Sequence, residues 1–106
     1  MKVVLWHNIL SLHQAAFIRA LAEMVPTILV AERPQDEDWL RGLGKVPDMG
    51  RAEIIITPDS QQIDQLVRMH DAMHFVCGID FAFRREKLLR RLHRAGAKVA
   101  CYVEPY

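Results

Sequence analysis

The chain has 106 residues, enough for one domain with one core. Apolar residues make up 51% of it and charged residues 25%, a globular composition rather than a disordered one. A formal net charge of +1 removes any global electrostatic argument for nucleic acid or for an acidic partner.

Apolar runs such as 25–31 are far too short to span a membrane. The N-terminus lacks a charged leader followed by a long apolar region and a cleavage site, so no signal peptide is expected. Two cysteines, Cys77 and Cys101, make a poor disulfide framework, and buried free thiols are the expectation for both. The five histidines show no zinc-ligand spacing. Together these features predict a reduced, cytoplasmic protein with no metal site.

In chain order, the run over 3–6 predicts a buried strand, followed by a short loop at 7–10. Ser11 is a good N-cap for a helix over 12–24. Its inner face is expected to hold Phe17, Leu21 and Met24, with Ala16 and Ala20 beside them. Pro26 then opens a second strand over 27–31. Residues 32–52 are acidic at first and broken by glycine and proline, and predict a long excursion with one short helix around 35–40. A third strand is expected over 53–56. Pro58, Asp59 and Ser60 open a helix to about 69, with Ile63, Leu66 and Val67 inward. A fourth strand over 72–77 leads through a loop at 78–81 to a helix over 82–95. That helix turns Leu88, Leu89 and Leu92 inward, and Gly96 caps its end. A fifth strand over 97–103 follows.

Short apolar strands alternating with helices indicate βαβ crossovers and a parallel sheet. The expected fold is a Rossmann-like α/β three-layer sandwich, a single domain over 1–106, with a five-stranded parallel sheet in the order 3-2-1-4-5. The chain stops just after its last strand, so a further segment is expected to complete it.

Ligands of open α/β sheets bind outside the carboxyl ends of the strands. That rule selects the loop after strand one, with His7, Asn8, Ser11 and His13. It also selects Gly78, Ile79 and Asp80 after strand four, and Glu104 and Tyr106 after strand five. Ser11 and Asp80 also read as simple helix caps, and His7 as a residue bonded to a neighbouring loop. Neither the glycine-rich dinucleotide fingerprint nor a P-loop is present.

The last helix is strongly basic. Arg84, Arg85, Lys87, Arg90, Arg91 and Arg94 face only Glu86 as local opposition. Such a helix can lie on an anionic membrane surface, or it can be a solvated face balanced by the acidic stretch at 32–38. No aromatic interleaving accompanies it, so nucleic acid is not expected as a partner. His70 and His74 have i, i+4 spacing, but Asp71 and Ala72 break the helix between them. No catalytic residue is assigned.

Three segments carry a resemblance. Val4-Leu5-Trp6-His7-Asn8-Ile9-Leu10-Ser11-Leu12-His13-Gln14, Phe75-Val76-Cys77-Gly78-Ile79 and Val103-Glu104-Pro105-Tyr106 resemble, in order and spacing, the N-terminal domain of bacterial GT-B-fold glycosyltransferases of the family 4-like group. The resemblance implies an acceptor-binding domain of an enzyme that moves sugar from a nucleotide-sugar to an acceptor hydroxyl. The acceptor would be a glycan, lipid or small molecule. A C-terminal donor-binding domain, outside this chain, would supply the nucleotide-sugar site, and no cofactor would be bound here. Peripheral contact at the inner membrane face would fit the basic helix. The glycine-rich form of the first loop is absent, and Gly78-Ile79-Asp80 stands where many relatives use a histidine, so that role is not transferred. The alternative is a stand-alone flavodoxin-like binding or signalling domain. Strand one is followed by His7 and Asn8 rather than an acidic cluster, which disfavours a phosphoacceptor.

Overall fold

Short β-branched and aliphatic runs form the strands of this protein, and its computed structural model describes residues 1–9, 15–33, 49–77 and 83–102. The strands are β1 (Lys2–Ile9), β2 (Thr27–Arg33), β3 (Glu53–Ile56), β4 (Ala72–Cys77) and β5 (Lys98–Tyr102). The helices among the described residues are α1 (Ala15–Met24), α2 (Ser60–Val67) and α3 (Phe83–Arg94). The sheet is parallel throughout, in the order 3-2-1-4-5. This is the expected Rossmann-like order, and it differs from the 2-1-3-4-5 order of flavodoxin-like sheets. β1 and β4 lie side by side at the centre, where the winding reverses.

Alternation along the strands sorts the core into two layers. Val4, Trp6, Ile28, Val30, Ala72 and Val76 face α2 and α3, which bring Leu66, Val67 and Leu92 down onto them. Val3, Leu5, Leu29 and Ala31 face the other way, onto Ile18 of α1 and onto Met49. Burial on both sheet faces is what near-continuous apolar strands require.

Local signals set the ends of the helices. Asp59 accepts the Gln62 N–H at 2.7 Å, and the Gln62 side chain accepts the Asp59 N–H at 3.0 Å. This capping box starts α2. At the end of α3, Gly96 adopts φ +73°, with Gly96 N–H bonded to the His93 carbonyl and Ala97 N–H to the Leu92 carbonyl. That is a Schellman ending, and it needs a residue at ease in the left-handed region.

Several expectations are corrected. β1 runs through Ile9, so His7 and Asn8 belong to the strand and not to a loop. Its pairing with β2 continues to His7 opposite Ala31 and Ile9 opposite Arg33, which holds the strand straight past Trp6. β2 likewise extends to Arg33, and β5 spans Lys98–Tyr102.

The inner face of α1 is Ile18 and Ala22, not Phe17 and Met24, which are 56% and 81% exposed. The helix is apolar nearly all round, so periodicity alone admits two inner faces. The β-branched Ile18, fully buried, fills the space over β1 and β2, and Leu21 packs at the margin.

Cys77 is buried and free, whereas Cys101, on the edge strand, is free but exposed. The expected short helix at 35–40 lies outside the described residues. No described helix is long and apolar enough to cross a membrane.

Candidate functional site

A cleft of about 370 Å³ opens at the carboxyl edge of the sheet, on the side covered by α2 and α3. Its floor is apolar: Trp6 and Val30 from the sheet, Ile63 from α2 and Leu88 from α3. Its polar rim comes from two directions. The sheet edge contributes Glu32 from β2 and Thr57 just after β3, and β1 borders the cleft at His7. Helix α3 contributes Lys87 and Arg91. An apolar floor with a few convergent polar groups is the usual make-up of a small-molecule site, and this volume is at the lower end of the usual range.

Trp6 is fixed by a residue behind it. Its Nε1–H donates to His74 Nδ1 at 3.0 Å, and the two rings lie 6.1 Å apart with 23° between their planes. An indole has one donor, so with that donor spent Trp6 offers a ligand only hydrocarbon surface.

His74 is fully buried, and burial pushes its pKa below the ordinary 6.5. With Nδ1 accepting, the neutral ring carries its proton on Nε2. The Met69 backbone favours the protonated ring by less than burial disfavours it. It does not reach hydrogen-bond geometry, and Nε2 has no hydrogen-bond partner among the described residues. Removing a polar atom from water without a partner costs free energy, so this orphan is held in place by the surrounding packing.

Thr57 stands at the mouth of the cleft with φ 52°. A β-branched residue in the left-handed region is strained, and the following Pro58 favours extended backbone instead. The Thr57 N–H donates to the Ala31 carbonyl at 2.7 Å, which ties the end of β3 to β2 and holds the residue there. Strain of this kind gathers where surrounding structure over-determines a functional position.

The basic helix does not present all its charge to solvent alone. Lys87 and Arg91, one turn apart, line the cleft, while Arg90 pairs with Glu86 at 2.7 Å and Arg94 is exposed. Arg91 also meets Asp64 of α2 at 3.5 Å, and Arg68 meets the same oxygen at 3.4 Å. Exposed pairs of this sort contribute little to stability. Arg84 and Arg85 occupy the first turn of α3.

Of the residues selected from sequence as a ligand wall, His7 is buried at the end of β1 and lines the cleft. Asn8 follows it in the strand backbone. Ser11, His13, Gly78, Ile79, Asp80, Glu104 and Tyr106 lie outside the described residues. His70 sits in the turn before β4 and His74 within the strand, so the two do not share a helix.

Glu32, Thr57 and the cleft-facing role of Lys87 and Arg91 were not legible as site features. The same carboxyl-edge rule, applied to β2 and β3 as well as to β1, β4 and β5, would have pointed to the first two.

The class these features define is an open parallel α/β domain with a polar-rimmed cleft at its carboxyl edge. Comparisons with protein-family models, with curated proteins and with solved structures each return no match.

Proposed function

We propose that this domain is the acceptor-binding half of a glycosyltransferase, with the nucleotide-sugar donor held by a second domain. The observation that carries the reading is the cleft at the carboxyl edge of a 3-2-1-4-5 sheet. Ligands of such sheets bind at that edge, and the strand residues of this cleft come from β1, β2 and the end of β3. The rim suits a hydroxylated ligand: Glu32 accepts hydroxyl protons, and Thr57 both donates and accepts. Trp6, Val30 and Leu88 supply the apolar surface against which a sugar ring rests. The resemblance of the segments at 4–14, 75–79 and 103–106 to the N-terminal domains of GT-B enzymes agrees with this assignment. In this role the domain orients the acceptor hydroxyl toward the donor, and catalysis draws on proximity that the two halves create together.

Calorimetric titration of the chain tests the reading. A set of mono- and disaccharides should include ligands that bind saturably, and a nucleotide-sugar should bind no more tightly than its sugar portion. Tight nucleotide binding with no response to any sugar would instead place a nucleotide module here.

A further inference from the structure

The charged groups around the cleft are not equally engaged. On the α3 wall, Arg91 is paired with Asp64 at 3.5 Å, and Lys87 has an interaction of its own. On the strand wall, Glu32 is half-buried and has no hydrogen-bond or ion-pair partner among the described residues.

The strands set the position of this carboxylate. Trp6 lies opposite Val30 in the β1–β2 register, and Val30 lies opposite Ile55 in the β2–β3 register. Side chains alternate along a strand, so Glu32, two residues beyond Val30 in β2, belongs to the same sheet face. It is the next position on that face after the apolar row of Trp6, Val30 and Ile55.

A carboxylate partly withdrawn from water with no counter-charge is unfavourable, and a ligand that brings the opposite charge offsets that cost. A hydroxyl offers Glu32 one neutral donor, whereas an ammonium offers three donors and a positive charge. Trp6, whose N–H is spent on His74, presents aromatic surface nearby, which also favours a cation over a neutral group. An anion at the strand wall would instead be repelled by Glu32.

We propose that the cleft takes a sugar carrying a free amine, with the ammonium on Glu32 and the ring against Trp6 and Leu88. The inference rests on the acceptor-binding reading and narrows the acceptor class to amino sugars.

The chain is titrated calorimetrically with glucosamine, N-acetylglucosamine and glucose, at low and at high salt. The same three titrations are repeated on Glu32→Gln, which keeps the length of the side chain and removes its charge.

Glucosamine should bind saturably, and at least about tenfold more tightly than either neutral sugar. Added salt should weaken glucosamine and leave glucose unchanged. Glu32→Gln should weaken glucosamine by at least about tenfold and change glucose by less than about twofold, with circular dichroism showing the fold intact. The comparison of glucosamine with N-acetylglucosamine on the unsubstituted chain stands whether or not the variant folds. Equal binding of glucosamine and glucose, tighter binding of N-acetylglucosamine, or unchanged glucosamine affinity in a folded Glu32→Gln chain overturns the amine assignment while leaving the sugar cleft standing. No binding of any of the three overturns both.

Discussion

The two faces of the sheet are built from similar strands and do different work. On the α1 face, Val3, Leu5, Leu29 and Ala31 meet Ile18 and Met49 in an apolar layer. Gly50 lets the chain pass close to α1 there: it has φ +65°, and a Cβ at this position would come within 2.7 Å of Arg19 Cγ. On the α2/α3 face, the same alternation brings a buried polar pair, Trp6 and His74, into the layer, and the cleft opens directly beyond it. Among the described residues, then, the α1 face serves packing and the α2/α3 face combines packing with a site. A buried unsatisfied nitrogen and a strained threonine both occur on or beside the second.

The largest expected effects test whether both faces are sealed cores. Leu92→Ala and Ile18→Ala each remove a fully buried side chain, one per face, and each should cost about 2–5 kcal/mol in chemical denaturation. A loss well below that range at either site would mean that its face is not closely packed.

A second experiment separates the faces by chemistry. His74→Leu leaves the Trp6 indole N–H buried without an acceptor and should cost about 1–3 kcal/mol. Trp6→Phe with His74→Leu should cost less than the sum of the single changes, because neither partner is then orphaned. Strict additivity would remove the pair as a unit.

The same histidine predicts a pH dependence. The folded pKa lies below 6.5, so on acidification the unfolded chain takes up this proton first. The stability tied to the neutral ring is complete above about 6.5 and is lost as pH falls below that value toward the folded pKa. His74→Leu should flatten that part of the stability profile, and an unaltered slope would show that other groups set it.

Thr57→Gly should relieve about 1–2 kcal/mol of left-handed strain and give back about 0.5–1 kcal/mol in glycine's chain entropy. The expected outcome is a small net gain in stability with weaker sugar binding. A clear loss of stability would contradict the strain argument. The smallest effect belongs to the outer side of α1. Phe17→Ser should change stability by no more than about 0.5 kcal/mol, because the ring is 56% exposed; a core-sized loss would restore Phe17 to the packed face.

Much of the fold was legible in the sequence because the deciding signals are local. The runs at 53–56 and 72–77 form strands with those bounds. The leucines of α3 turn inward as their spacing requires, and Gly96 closes that helix. The face of α1 was not legible, since apolar residues surround that helix and only the tertiary space over β1 and β2 selects Ile18.

The site was less legible than the fold. Trp6 and His74 are distant in sequence and become partners only through the β1–β4 register, in which Trp6 pairs with Val76 and His74 with Val4. Lys87 and Arg91 read as part of a basic surface, and only the position of α3 over the sheet turns them toward a cleft.

The most direct test of a sugar-binding cleft on the α2/α3 side is amide and indole chemical-shift mapping of the chain titrated with a panel of mono- and disaccharides. The predicted result is saturable shifts at the Trp6 indole N–H, Thr57, Lys87 and Arg91, with Ile18 and Ala22 of α1 unmoved. Shifts confined to α1, or none at Trp6 and Thr57 at saturating ligand, would contradict it.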